Sequence, residues 1–410
     1  MRIRNSRFPV LKWKNTTRSY KMTLRKQLPL VVTSILRLSP SLQMCARCKS
    51  AMGTMMPKAH TPNKYYSIPR LVASAGLNHH HAGDSIIKRD GPPWRVMFFG
   101  SDNFSMASLK ALHKCRTEGK LIEKLHVVCP ETKFIKRKGK TRIISPIWQY
   151  CHDNDLTHFP WPITPEVKGY DIGVLSSFGH LVPGHLIESF PYGIANVHPS
   201  LLPRWRGASP LTYAILEGDT RTGVSIMGLR AKRFDVGPIL LQESIEIPKR
   251  CTTESLQEIL ASQGADMIVR FLKDLPRFYA NGKAQTEEGV TLCGKIVPKM
   301  AIVSWSKTCD EIDRLYRAIG QDFPLETSWN GNQVRLNQMN DPKVTAELDV
   351  NIEGPVLGEL FYHKPTQQLC VKCQDGWVSF GEVTFRKKMT AKDFYNGFLS
   401  GKNIDRQCFV

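Results

Sequence analysis

Four short apolar runs, divided by stretches of helical spacing, constrain this chain more than any other feature. They are "WRVMFFG" (Trp94 to Gly100), "LHVVC" (Leu125 to Cys129), "DIGVLSSFG" (Asp171 to Gly179) and "GIANVH" (Gly193 to His198). Each is too continuously apolar to keep one face in water, so each reads as a strand covered on both sides. After the first run, "SMASLKALHKC" places its apolar residues at helical intervals. Strand, loop and helix in alternation predict the α/β class, a Rossmann-like, doubly wound, mostly parallel sheet. The first turn reads "GSDNFS" instead of G-x-G-x-x-G, so a bound nicotinamide dinucleotide is not supported.

The pattern changes after a polar connector. "SWSKTCDEIDRLYRAIG" (Ser304 to Gly320) has helical spacing, and short alternating runs follow it: "NQVRLNQM", "GELFYHK", "QQLCVKC" and "GWVSFGEVTF". Short strands with Gly and Asn turns suggest a small barrel. "TAKDFYNGFLSG" then opens with Thr-x-x-Asp, close to a capping box, and reads as a terminal helix. The expected organisation is a leader and linker over 1–91, a catalytic domain over 92–281, a connector over 282–296 and a smaller domain over 297–402.

Charge separates the leader from the rest. The chain holds 57 Lys and Arg against 36 Asp and Glu, yet residues 1–83 carry fifteen of the basic residues and no acid. A basic, acid-free opening rich in Ser and Thr reads as an organelle transit segment, and mitochondrial import is the expectation. Its apolar run "LPLVVTSIL" (Leu28 to Leu36) is too short to cross a bilayer, so no membrane partner is expected. Eleven scattered cysteines do not resemble a disulfide framework. "CARC" (Cys45, Cys48) lies in the leader, a strand accounts for "CVKC" (Cys370, Cys373), and His79 to His81 sit in a Gly/Asn-rich linker; no metal site is expected.

The chemistry concentrates in "NVHPSLLPRWRG" (Asn196 to Gly207). Ligands of doubly wound sheets sit beyond the carboxyl ends of the strands, where this segment falls. Asn196 and His198, two apart on a strand, project from one face and can aim two polar hydrogens at one oxygen. That makes a plausible oxyanion site if a carboxylate holds the ring, and "KRFDVGPILLQ" supplies Asp235 in a turn. Pro199 ends the strand, Pro203 stiffens the loop, and Gly207 is expected to let the chain turn into the helix suggested by "ASPLTYAILEG". Taken singly, an Asn-x-His at a strand end is ordinarily a capped turn and a loop Asp is ordinarily solvated.

Taken together, "NVHPSLLPRWRGASP" and "FDVGPILLQ" resemble the folate-dependent formyltransferases, and "RWRG" points within them to the methionyl-tRNA branch. The resemblance spans about residues 94 to 400, with "FGSDNFSMASLKAL", "SFGHLVP" and "GDTRTGVSIM" matching in turn. It implies 10-formyltetrahydrofolate as co-substrate, no metal, and initiator methionyl-tRNA as partner, with translation initiation in the mitochondrial matrix as the setting. It also implies catalytic roles for Asn196, His198 and Asp235, and a folate-lining role for Ser200, Leu201, Leu202 and Pro203. Two positions depart from the family pattern: Val236 stands where many relatives have Thr, and Phe178 where Tyr is common.

"KFIKRKGKTR" (Lys133 to Arg142) holds six Lys or Arg around a glycine. A charge run is usually a solvated face, but the family places a tRNA-entering insertion here, which implies tRNA contacts for Lys136, Arg137, Lys138, Lys140 and Arg142. The resemblance also makes the second domain OB-like and tRNA-binding, with Lys299, Arg314, Arg317, Arg335, Lys372, Arg386, Lys387 and Lys388 as candidate contacts. Three rivals remain. A small-amine formyltransferase leaves the basic insertion and the barrel unexplained, a formyltetrahydrofolate hydrolase would need no acceptor, and a noncatalytic tRNA-binding protein would bind equally well without Asn196. The oligomeric state is open, with a monomer as the expectation.

Overall fold

The computed structural model describes residues 88–130, 132–136, 140–163, 168–401 and 406–410. The basic leader, with Cys45, Cys48 and His79 to His81, lies outside the described residues. The first part of the chain runs β1 (Trp94–Gly100), α1 (Asn103–Glu118), β2 (Ile122–Cys129), β3 (Thr132–Lys136), β4 (Lys140–Ile144), α2 (Pro146–Asp153), β5 (His158–Pro160), β6 (Ile172–Ser176) and α3 (Gly184–Glu188). It continues with β7 (Ile194–His198), β8 (Arg206–Gly207), α4 (Pro210–Leu216), β9 (Arg221–Gly228), β10 (Ile239–Glu246), α5 (Thr253–Lys273), α6 (Leu275–Ala280) and β11 (Leu292–Cys293).

Seven strands form one sheet in the order β10-β9-β7-β6-β1-β2-β5. The five from β7 to β5 are parallel, while β9 and β10 add an antiparallel edge. The predicted mostly parallel sheet is therefore present. Alternation along β1 explains why both faces are covered: Val96 and Phe98 join the core under α1 and α5, whereas Met97 and Phe99 pack with Phe178, Phe190 and Leu186 on the other side. Burying each such side chain contributes about 1.5–3 kcal/mol. The strand order reverses at β1, which has β2 on one flank and β6 on the other, and this opens the crevice where ligands of such sheets bind. α1 starts sharply because Asp102 and Ser105 form a reciprocal capping box, and it stops at Gly119, whose φ of 72° ends the helical turn.

The second part comprises α7 (Cys309–Ile319), β12 (Leu325–Trp329), β13 (Asn332–Met339), α8 (Pro342–Ala346), β14 (Leu360–His363), β15 (Gln368–Lys372), β16 (Trp377–Phe385), β17 (Lys387–Thr390) and α9 (Ala391–Phe394). Its antiparallel sheet has the order β12-β13-β16-β15-β14, with β17 on β16. The two edges are joined by a segment past the expected boundary at residue 402. Val410 and Ser328 exchange backbone hydrogen bonds of 2.9 and 3.0 Å, and Leu360 and Phe409 donate to Gln407 and Gly358 at 2.9 and 2.8 Å. Residues 407–410 thus bridge β12 to β14 and close the sheet into the predicted barrel.

α7 is the joint between the two parts. Its Arg317 donates to Asp313 at 2.7 Å and to the Cys251 carbonyl at 2.8 Å, Arg314 donates to the Leu216 carbonyl at 3.2 Å, and Asp313 pairs with Arg250. Arg314 and Arg317, candidates for RNA contact in the sequence, are therefore engaged inside the protein. Arg335 and Lys388 are paired with Glu326 and Glu382 at 2.9 Å each. Single-sequence reading sees a basic residue but not the acid that folding brings beside it. Among the described residues no helix is long and apolar enough to cross a membrane.

Candidate active site

Asn196 and His198 lie on β7 with 9% and 4% of their surface exposed, side by side on one face of the sheet. Asp235 reaches them from the connection between β9 and β10. Its backbone is left-handed, φ 53°, a conformation that Asp and Asn tolerate better than other residues with a Cβ. Asn196 Nδ2 donates to Asp235 Oδ1 at 3.4 Å, and His198 Nδ1 lies 3.7 Å from the same oxygen. The three side chains that the sequence singled out converge, and the oxygen both nitrogens face is that of Asp235.

The other imidazole nitrogen sets the tautomer. His198 Nε2 lies 3.0 Å from the Trp205 carbonyl, which can only accept, so Nε2 carries a proton and Nδ1 is the nitrogen free to gain or give one. Trp205 aims its carbonyl there from a left-handed φ of 60°, held by Thr291, whose hydroxyl accepts the Trp205 N–H at 2.8 Å. The indole N–H donates to Asp219 at 2.8 Å, and Arg204 Nε donates to the same carboxylate at 2.8 Å.

Asp235 is held as firmly. The Gly207 N–H donates to its Oδ2 at 2.9 Å, and Gln285 Nε2 donates to the Asp235 and Gly237 carbonyls at 2.9 and 2.8 Å. Gly207 is thus less a hinge than a close-approach site: β8 pairs with β11, and a Cβ at Gly207 would stand 2.2 Å from the Cys293 carbonyl. Gln285, Thr291 and Cys293 belong to the stretch the sequence reads as a polar connector. No residue pattern there marks them, since a Gln or Thr in a polar loop looks the same whether or not it touches a site. Cys293 is no nucleophile, because burial pushes its thiol up to about 11 and its sulfur lies 3.3 Å from the Trp205 carbonyl.

The loop residues expected at the folate divide into two kinds. Ser200 is buried and donates to the Arg204 carbonyl at 2.6 Å, and Leu202 is 3% exposed and donates its N–H to Ser225 at 3.1 Å. Leu201 and Pro203 keep part of their surface open. Lys136, Lys140 and Arg142 fall on the β3–β4 hairpin, in which Lys136 pairs with Lys140 and Phe134 with Arg142. Arg137 and Lys138, at its tip, lie outside the described residues. Of the two departing positions, Val236 is part-buried beside Asp235, and Phe178 is wedged edge-on against Phe99 and Trp161.

Residues 94–272 match the formyl transferase family, and residues 295–399 match the formyl transferase C-terminal domain. The human mitochondrial methionyl-tRNA formyltransferase is 42% identical over 348 residues, which cover 84% of this chain and 87% of that protein. The chain belongs to the methionyl-tRNA formyltransferase family. The rat mitochondrial methionyl-tRNA formyltransferase is 44% identical over 316 residues, covering 76% of this chain and 80% of its own. The methionyl-tRNA formyltransferase of Methylococcus capsulatus is 32% identical over 326 residues, covering 76% of this chain and 99% of its own. The two mammalian members are named mitochondrial, so this chain groups with the mitochondrial branch of the family.

Proposed function

We propose that the protein transfers the formyl group of 10-formyltetrahydrofolate to the α-amino group of initiator methionyl-tRNA in the mitochondrial matrix, acting as a monomer. The convergence of Asn196, His198 and Asp235, inside a chain of this family, is the observation that carries the reading. The resemblance of the Asn196–Gly207 loop to the folate-dependent formyltransferases supports the donor. Leu201 and Pro203 supply apolar surface suited to a pterin, and Ser200 and Leu202 shape the turn that presents it.

The folate supplies a one-carbon unit already activated for transfer. The neutral amine adds to the formyl carbon, and the negative charge that grows on the formyl oxygen is met by the Asn196 amide and by a protonated His198 Nδ1. Trp205 keeps that nitrogen facing the reaction by occupying the other one. Asp235 faces the imidazole and stands ready to pass the amine's proton toward the departing folate nitrogen as the carbon–nitrogen bond to the folate breaks. No covalent enzyme intermediate is required. In the same reading the β3–β4 hairpin, with Lys136, Arg137, Lys138, Lys140 and Arg142, tracks tRNA phosphates. Residues 92–281 form the catalytic domain, and the tRNA-binding one expected over 297–402 also takes in the closing segment 407–410; a transit segment over 1–91 precedes both.

The test is direct. Purified protein, formylated folate and charged methionyl-tRNA should yield N-formylmethionyl-tRNA, and formate release without acceptor would favour the hydrolase instead. Transfer to small amines at equal rate would point to the small-amine rival. Binding of tRNA with no formyl transfer would leave only the noncatalytic reading. Residues 1–90 fused to a fluorescent reporter should carry it into mitochondria.

A further inference from the structure

Cys309 and Cys373 are 64 residues apart in sequence, yet their sulfurs lie 3.3 Å from each other in the C-terminal part. Cys309 is the first residue of α7, and Cys373 directly follows β15. Two pairs are closely spaced in the sequence; Cys45 and Cys48 lie outside the described residues, and folding buries Cys370 in β15 and sets Cys373 against Cys309. Cys373 is wholly buried, whereas Cys309 keeps part of its surface open.

The main chain on both sides is fastened around the two thiols. Asp375 accepts the Cys309 N–H at 2.7 Å, the Gln374 N–H donates to the Lys307 carbonyl at 3.0 Å, and the Gly376 carbonyl accepts the Cys373 N–H at 2.9 Å. Gly376 also leaves the space the sulfur uses, since a Cβ there would stand 3.0 Å from Cys309 Sγ. A disulfide needs the sulfurs to close from 3.3 Å to about 2.05 Å, and the hydrogen bonds around them keep the two residues side by side.

We propose that Cys309 and Cys373 are a modification site, a dithiol that hydrogen peroxide converts into a disulfide clamping the start of α7 to the β15–β16 turn. Hydrogen bonding from Cys309 holds the Cys373 thiol below its ordinary value, against the opposing effect of burial, and the same contact pushes the Cys309 thiol up. Of the two, only the part-exposed Cys309 is open to peroxide, and its proton passes across the short gap to the Cys373 thiolate as Cys309 reacts. Its sulfur attacks one peroxide oxygen, the O–O bond breaks, and the departing hydroxide takes up a proton as water, leaving a sulfenic acid. Cys373 then attacks that sulfur; the S–S bond forms, the S–O bond breaks, and the hydroxide leaves as water with the Cys373 proton. In all, two thiols lose two electrons and two protons, and one peroxide becomes two waters.

The clamp acts on the helix whose Asp313, Arg314 and Arg317 join the two parts of the molecule, and it is independent of formyl transfer. Cys129 and Cys151 serve as an internal control, because they are neighbouring thiols too but both are fully enclosed. The full chain, reduced and then given a few equivalents of peroxide, should yield a peptide linking Cys309 to Cys373 in non-reducing mass mapping, while Cys129 and Cys151 remain thiols. The melting temperature should rise by roughly 5 °C on oxidation, and Cys309→Ser should abolish both the link and the rise. Recovery of Cys309 and Cys373 as unlinked peptides after this treatment would overturn the proposal. So would one equivalent of zinc in the purified protein that Cys309→Ser releases, since Cys309, Cys373 and Asp375 would then be metal ligands.

Discussion

The segment Asn196–Gly207 and the β3–β4 hairpin are built in opposite ways. The first is fastened along its length: Asn196 and His198 within the central sheet, Ser200 to Arg204, Leu202 to Ser225, Trp205 to Thr291, Gly207 to Asp235. The second forms a two-stranded sheet of its own, paired strand to strand and not to the seven-stranded sheet. A group that must meet a developing charge has to be fixed before the reaction, because reorganisation would add to the barrier. A basic ribbon that follows phosphates gains from standing clear of the core, since its contacts are electrostatic and tolerant of geometry. The difference fits the proposed division, with chemistry in the first segment and docking in the second.

The largest effect expected from this division is on turnover. Asn196→Ala or His198→Ala should lower kcat by a hundredfold or more in a single-turnover formylation assay, on the order of what losing an oxyanion donor costs, with tRNA affinity unchanged. A mutant that keeps its kcat would remove the chemistry from this loop. Gly207→Ala comes next. The new Cβ meets the Cys293 carbonyl at a φ of 129°, so about 2–4 kcal/mol of stability should be lost in denaturant titration, and turnover should fall with it as the amide that holds Asp235 is displaced.

Changes in the hairpin should instead leave kcat alone at saturating tRNA. Replacing Lys136, Arg137 and Lys138 by Gln should weaken tRNA binding roughly tenfold and flatten its salt dependence by about two to three phosphate contacts, with folate affinity constant. An unchanged slope would return the hairpin to an ordinary solvated surface. Smallest of all should be Glu311→Gln, outside both segments. Hydrogen bonds from Lys307 and Thr308 hold the Glu311 carboxyl at about 2, below its ordinary 4.5. A carboxylate depressed by folding stabilises above its unfolded value and loses that contribution as the pH falls through the folded one. The melting-temperature gap between wild type and Glu311→Gln should therefore be full above pH 4.5 and vanish near pH 2.

Legibility followed the range of the interactions. The parallel sheet could be read from the apolar runs because burial on both faces leaves a local mark, as at Val96 to Phe99. Asn196 and His198 were legible because strand periodicity alone puts them on one face. Asp235 could be named as a candidate, but nothing local showed that its carboxylate would meet Asn196 thirty-nine positions away. Trp205, Gln285 and Thr291 were invisible for a stronger reason. All three act through the main chain, Trp205 by its own carbonyl, Gln285 by donating to carbonyls and Thr291 by accepting an amide N–H, and the residue type only weakly constrains such bonds. The arginines of α7 differ in the other direction: Arg314 and Arg317 look like free cations in the sequence, and folding sets the Leu216 and Cys251 carbonyls beside them.

The bridge made by residues 407–410 carries a consequence for assembly. Ser328 and Val410 are 82 residues apart, so the barrel resembles a bracelet whose clasp is its most distant link. As the chain is synthesised from its amino end, the parallel sheet has every strand it needs well before that clasp emerges. The second half must wait with both rims open, and a deletion of four residues there would leave two bare strand edges to find some other mate.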